Sequence, residues 1–60
     1  MNWIKLTDDT KFPKDEVLCV NNSGDFLVGY LTTDESGDVL CSSDEVDMYD
    51  ITHYADLVKP

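Results

Sequence analysis

Cysteine and histidine side chains are the residues of this chain best suited to nucleophilic catalysis or soft metal binding. The sequence contains Cys19, Cys41 and a single histidine, His53. Zinc sites generally use four ligands, at least two of them close in sequence, as in C-x-x-C. Neither cysteine has such a neighbour, and no activating base or oxyanion loop is indicated. We predict two buried, reduced thiols. A disulfide or redox pair and a metal site are the alternatives, since two strands of one sheet could bring the thiols together.

Carboxylates are the other groups capable of chemistry. Thirteen acidic residues face four lysines and no arginine, for a formal net charge of −9. General acid catalysis needs a carboxyl group in a low-dielectric pocket, whereas these residues lie in polar turns. The group Asp34, Glu35 and Asp38 lacks the alternation and the distal glutamate of a calcium-binding hand. No glycine-rich phosphate loop is present. The sequence therefore predicts no catalytic residue, metal or cofactor, and a protein that acts by binding.

The distribution of charge indicates the kind of partner. Residues 15–58 contain eleven acids and no lysine or arginine. Nucleic acid and anionic membranes require a basic footprint, so neither is expected as a direct partner. Such a surface either keeps the protein soluble or attracts a basic protein.

An acidic chain can also imitate nucleic acid. Carboxylates two residues apart on an extended chain are roughly 6.6 Å apart, which is comparable with phosphate spacing. A basic protein that binds nucleic acid is the predicted partner. The candidate partner-binding residues are Asp34, Glu35, Asp38, Asp44, Glu45, Asp47 and Asp50.

An aromatic surface is the alternative site. It would make the protein a sponge for a small ligand or nucleotide, built at a homodimer interface. A third possibility is an accessory or structural protein without such a target. The aromatic candidates are Trp3, Tyr30, Tyr49 and Tyr54.

Short strands and polar turns must position these residues. The β-branched segment 16–20 and the apolar segment 26–32 flank the turn 21–25 and predict a hairpin, in which Phe26, Val28 and Tyr30 share one face and Gly29 leaves a gap on the other. The segment 39–41 predicts a third strand.

The region after this third strand is more ambiguous. Ser42 and Glu45 would suit the capping box of a helical turn. Alternation instead favours a turn over residues 43–47 and a strand over 48–54, with Ile51 in the core and Asp50 in solvent. We predict a mainly β fold, a small antiparallel meander of three to five strands with at most one short helical turn and no internal repeat.

The 60 residues suffice for one domain. A core of this size contributes about 3–5 kcal/mol, so a homodimer is expected. Neither a signal peptide nor a run of about 18 apolar residues is present, which predicts a cytoplasmic protein.

The chain carries short motifs at Trp3-Ile4, Pro13, Val17-Leu18, Gly29-Tyr30, Ile51–Tyr54, Leu57 and Pro60. Together they resemble the Domain of Unknown Function 551 family, whose short proteins are common in phages and prophages. The chain differs in having Tyr54 where the family has tryptophan, and in residues 55–58, where prolines are usual. The resemblance implies a phage setting but no activity. Together with the charge, it predicts an inhibitor or decoy of a host defence protein, of anti-CRISPR or anti-restriction type.

Overall fold

The computed structural model describes residues 2–57 and contains six antiparallel strands in this range. The strands form one sheet in the order β1-β6-β2-β3-β4-β5. No helix occurs in the described chain, so nothing there could cross a membrane as a helix. The strand bounds are β1 Ile4–Lys5, β2 Val17–Asn21, β3 Phe26–Thr33, β4 Val39–Ser42, β5 Asp47–Tyr49 and β6 Ile51–Asp56.

The predicted mainly β, antiparallel fold class is confirmed, as are the β2–β3 hairpin and the third strand, β4. The sheet has six strands, where three to five were predicted. Strands β1 and β5 were not predicted as separate strands, because they are only two and three residues long. Alternation cannot be recognised over so few residues. Strands β2 to β5 form a meander. Strand β6 then returns to pair with β2, and β1 pairs with the other edge of β6.

The single strand predicted over residues 48–54 is wrong. Asp50 lies between β5 and β6 with a φ of 59°, a left-handed conformation in which aspartate is one of the few tolerated non-glycine residues. Its carbonyl oxygen accepts a hydrogen bond from the Asn22 N–H at 3.0 Å. Asp50 therefore forms a chain corner, with its side chain exposed as predicted.

A β-bulge changes which residues of β6 face the core. The pairing of β6 with β2 shifts between Val20 and Asn21, which leaves Thr52 as an extra residue. Bulges of this kind reset the alternation of a strand. Ile51 is buried as predicted, but Tyr54 and Ala55 are buried as well. Tyr54, which was predicted as part of an aromatic surface, therefore lies in the core.

Two hairpin turns share a sequence pattern and a geometry. Asn21–Asp25 and Asp34–Asp38 both follow the pattern Asn/Asp-x-Ser-Gly-Asp. The Oδ1 of the first residue accepts backbone N–H bonds from the residues two and four positions later, at 3.1 and 2.8 Å for Asn21 and at 2.9 Å twice for Asp34. The glycines have φ values of 85° and 86°, which other residues adopt only with strain. This short repeat was not predicted.

Gly29 lies where β3 changes partners. Residues 26–29 pair with β2, and residues 30–33 pair with β4. A Cβ atom on Gly29 would lie 2.5 Å from the carbonyl oxygen of Ser42 and 2.9 Å from the Sγ of Cys41. The predicted gap is therefore present, and β4 fills it. This approach helps β4 to close the core, whose buried members are Val17, Cys19, Leu31, Cys41, Ile51 and Tyr54.

Gly29→Ala should destabilise the domain by about 1–3 kcal/mol, because the new methyl group would overlap a backbone oxygen that cannot rotate away. Urea denaturation is the measurement. Thr32→Ser, at an exposed site of the same strand, should stay within about 0.5 kcal/mol of wild type. Equal stabilities for the two variants would contradict the role of this contact.

Asp34→Ala should also lower stability, by about 1–2 kcal/mol, because two backbone N–H groups lose their acceptor. Asp34→Asn is the matched variant and should cost much less, since Asn21 performs the same task in the other turn. Thermal denaturation of both variants tests the assignment. An asparagine variant as unstable as the alanine variant would refute it.

Candidate functional site

A pocket of about 540 Å³ lies between the start of the β2–β3 hairpin and the turn that follows β4. We call it the acidic pocket. Its wall includes three carboxylates and three exposed apolar or aromatic side chains. These residues are Glu16, Asp44, Glu45, Val28, Tyr30 and Val46.

Ser43 shapes the turn that carries two of these carboxylates. Its N–H and its Oγ–H donate to the carbonyl oxygen of Val46 at 2.9 and 2.8 Å, and the Val46 N–H donates to Ser43 Oγ at 3.2 Å. The alternative capping box of Ser42 and Glu45 does not form, because the segment is a hairpin turn. This turn leaves Asp44 and Glu45 exposed at its tip.

The opposite wall comes from the outer face of the hairpin. Val28 and Tyr30 project from β3 and are 41% and 51% exposed, and Glu16 directly precedes β2. An apolar floor with carboxylates at its rim suits a side chain that has an apolar stem and a cationic end, as arginine and lysine have. Sequence reasoning placed Val28 and Tyr30 on one face but did not identify Glu16, Val28 or Val46 as site residues.

The seven predicted acidic residues do not form one site. Asp44 and Glu45 line the acidic pocket, whereas Glu35 and Asp38 are exposed in the turn at the opposite end of β4. Asp34 is half-buried and holds that turn together.

Residues 44–50 also do not form one extended strand, which would be needed to space carboxylates like the phosphates of nucleic acid. The first two acids of this segment lie in a turn, Asp47 lies on the edge strand β5, and Asp50 forms the left-handed corner. A regular spacing of carboxylates along one strand is therefore absent from this segment.

The predicted aromatic surface is divided in a similar way. Tyr54 is only 7% exposed and belongs to the core. Tyr49 lies on the edge strand β5, and Tyr30 lines the acidic pocket. Trp3 contacts a different ring, that of Phe26, with centroids 6.0 Å apart and planes at 42°.

Trp3 and Phe26 help to form a second pocket, which we call the aromatic pocket. Val20 and His53 complete its lining, and its volume is about 320 Å³. Phe26 was missed as a site residue, because a strand pattern does not reveal which apolar face remains uncovered.

Both cysteines are fully buried, free thiols. Burial, together with the neighbouring Cys41, raises the pKa of Cys19 to about 12. Burial also raises the pKa of Cys41, and the negative charge of Asp47 acts in the same direction. Since the thiolate is the reactive form, these side chains are poor nucleophiles at neutral pH. Residues 2–57 contain no group of three His, Cys, Asp or Glu side chains arranged to hold a metal ion.

The buried thiols make stability depend on alkaline pH. The pKa of Cys19 in the folded state lies above its ordinary value of 9.0. The stability that the buried Cys19 thiol contributes is therefore fully present below that pH and is lost as the pH rises toward about 12. The unfolding free energy of wild type should therefore fall over this interval, and less steeply in Cys19→Ala. Urea denaturation across this pH range provides the measurement. Identical slopes would show that Cys19 does not titrate differently on unfolding.

Together, these features describe an acidic, all-β domain with two open surface pockets. No protein-family model, curated protein or solved structure matches the chain. The resemblance to the Domain of Unknown Function 551 family, and the phage setting that it implies, stay predictions.

Proposed function

We propose that this domain is a binding protein without catalytic activity that inhibits a basic, nucleic-acid-binding protein. In this proposal, the acidic pocket receives a cationic side chain that the partner otherwise uses to contact phosphate. The supporting observation is the arrangement of Glu16, Asp44 and Glu45 around the exposed Val28 and Tyr30. Following the phage-type resemblance, a host defence protein is the proposed target.

The pocket matches arginine particularly well. A guanidinium group can stack on an aromatic ring such as that of Tyr30 while it donates hydrogen bonds to carboxylates. Glu16 and the Asp44–Glu45 pair come from separate elements, so a cation between them would meet negative charge from more than one direction. The volume of about 540 Å³ lies within the range of ligand sites, about 300–1,000 Å³.

The rest of the acidic surface supports competition with nucleic acid. Residues 15–58 carry no cation among their eleven acids, and a field of one sign accelerates the encounter with a basic surface. This form of decoy does not require a regular ladder of carboxylates. It requires negative charge where the partner's cations project, and the acidic pocket provides a defined place for one of them.

The aromatic pocket supports the second candidate, a small-ligand sponge. Trp3 and Phe26 present two rings beside His53 on an open surface. Binding there should depend little on ionic strength, whereas an electrostatic decoy should weaken steeply as salt increases. Salt dependence therefore separates the two functions.

The triple variant Glu16→Gln, Asp44→Asn, Glu45→Gln tests the first proposal. Its affinity for a nucleic-acid-binding protein captured from the natural host at low salt should fall about ten-fold or more, since the partner's cation loses its carboxylates. Its stability should stay close to wild type, because exposed charges contribute little. Duplex DNA should release the captured protein from wild type.

A charge-matched control uses acids outside the pocket, as Asp8→Asn, Asp9→Asn, Glu35→Gln. These three residues are exposed, and the control removes the same amount of negative charge. It should lose only about two- to three-fold in affinity, mainly through slower association. Equal losses in the two triple variants would contradict a specific role for the acidic pocket.

A further inference from the structure

Strand β3 is apolar on both faces, although only one face is covered. Its inward residues are Leu27, Gly29 and Leu31, which are buried or half-buried. Its outward residues, Phe26, Val28 and Tyr30, are 61%, 41% and 51% exposed. Strands with one face in water normally alternate apolar and polar residues, and double-sided apolar strands are typical of sheets covered on both sides. The outer face of β3 therefore has the composition of a surface that a partner covers.

This outer face connects the two pockets. Phe26 lines the aromatic pocket together with Trp3, whereas Val28 and Tyr30 line the acidic pocket. We call these four residues the outer stripe. Positions 26 and 30 are four residues apart on one strand, a distance of about 13 Å at the usual rise per residue. A short segment of a partner could therefore occupy both pockets at once.

Charge indicates which kind of partner covers the stripe. Lys5 lies opposite His53 at the aromatic end, and the acidic pocket lies at the other end. A second copy in the opposite orientation would bring one lysine against three carboxylates, and each copy has a net charge of −9. A basic partner instead matches the carboxylates and adds no like charge.

We infer that the outer stripe binds an apolar side chain of the same basic segment whose cation enters the acidic pocket. The recognised motif then consists of a cationic residue and an apolar residue about 13 Å apart, which corresponds to four positions on an extended chain. This inference rests on the proposed function and adds the source of its specificity. The cation accelerates association, and the buried apolar group lengthens the lifetime of the complex.

Two peptides of identical composition test the spacing, acetyl-RGGGL-amide and acetyl-RLGGG-amide. Each is titrated into the ¹⁵N-labelled domain and followed by NMR. Both should shift the resonances of Asp44 and Glu45, and RGGGL should also shift those of Val20 and Phe26. RGGGL should bind about five-fold or more tightly than RLGGG, because only its leucine reaches the aromatic end of the outer stripe, at Trp3 and Phe26.

The variant Phe26→Ser is the matched control, since it alters an exposed side chain and leaves the acidic pocket intact. It should remove the difference between the peptides while RLGGG binds as it does to wild type. Glu16→Gln, Asp44→Asn, Glu45→Gln should weaken both peptides. Together, the two variants separate the apolar contribution from the electrostatic one.

The outcomes distinguish this inference from the proposed function. If both peptides shift the resonances of the acidic pocket and bind wild type equally, the outer stripe is not a recognition element, but the proposed function stands. If neither peptide shifts the resonances of the acidic pocket at millimolar concentrations, the proposed function fails and the inference fails with it. Sedimentation of wild type and Phe26→Ser tests whether the expected homodimer uses this surface: a dimer built elsewhere should persist in Phe26→Ser. A dimer that Phe26→Ser converts to monomer would show that a second copy covers the stripe and would overturn the inference.

Discussion

The close packing of β4 against Gly29 is the constraint on which the domain depends. Without a side chain at this position, the carbonyl of Ser42 and the thiol of Cys41 can approach the β3 backbone at the point where β3 changes from pairing with β2 to pairing with β4. Cys41 then lies beside Cys19, and both thiols are removed from water. A chain of this length has few other ways to form a closed core.

The same packing determines where the binding surface can lie. Because β4 ends beside Gly29, the turn that follows it projects next to the outer face of β3, where Val28 and Tyr30 are exposed. Ser43 holds this turn in shape through its hydrogen bonds with Val46. Core closure thus brings acidic residues from one hairpin beside apolar residues of another, which allows a single partner side chain to contact both kinds of group.

The high density of negative charge is compatible with this fold because the charges lie in turns and on exposed edges. Within residues 2–57, no polar or charged residue is classed as buried. Where an acid does have a structural task, it accepts hydrogen bonds from backbone N–H groups: Asp34 accepts them in its own turn, and the Asp50 carbonyl accepts one from Asn22. Acids with structural tasks and acids free to bind a partner are therefore distinguishable by their hydrogen bonds.

The sequence by itself determined the fold class, the β2–β3 hairpin, the strand β4, the buried cysteines and the gap beside Gly29. These features follow from local patterns, namely alternation, turn-forming residues and the absence of cysteine pairs. Local patterns could not reveal the left-handed corner at Asp50 or the bulge at Thr52, and an error of one residue in a strand reverses its faces. For this reason Tyr54 was assigned to the surface although it lies in the core.

Only the tertiary structure decided which of the many acids share a site. Glu16 and the Asp44–Glu45 pair are far apart in sequence and line one pocket because β3 pairs with β2 on one side and with β4 on the other. The sequence could not show which face of β3 is exposed, for the same reason. Both faces are apolar, and only the path of β4 and β6 determines which one is covered. Charge and strand pattern are properties of the chain, whereas the proposed binding surface is a property of how its strands pack.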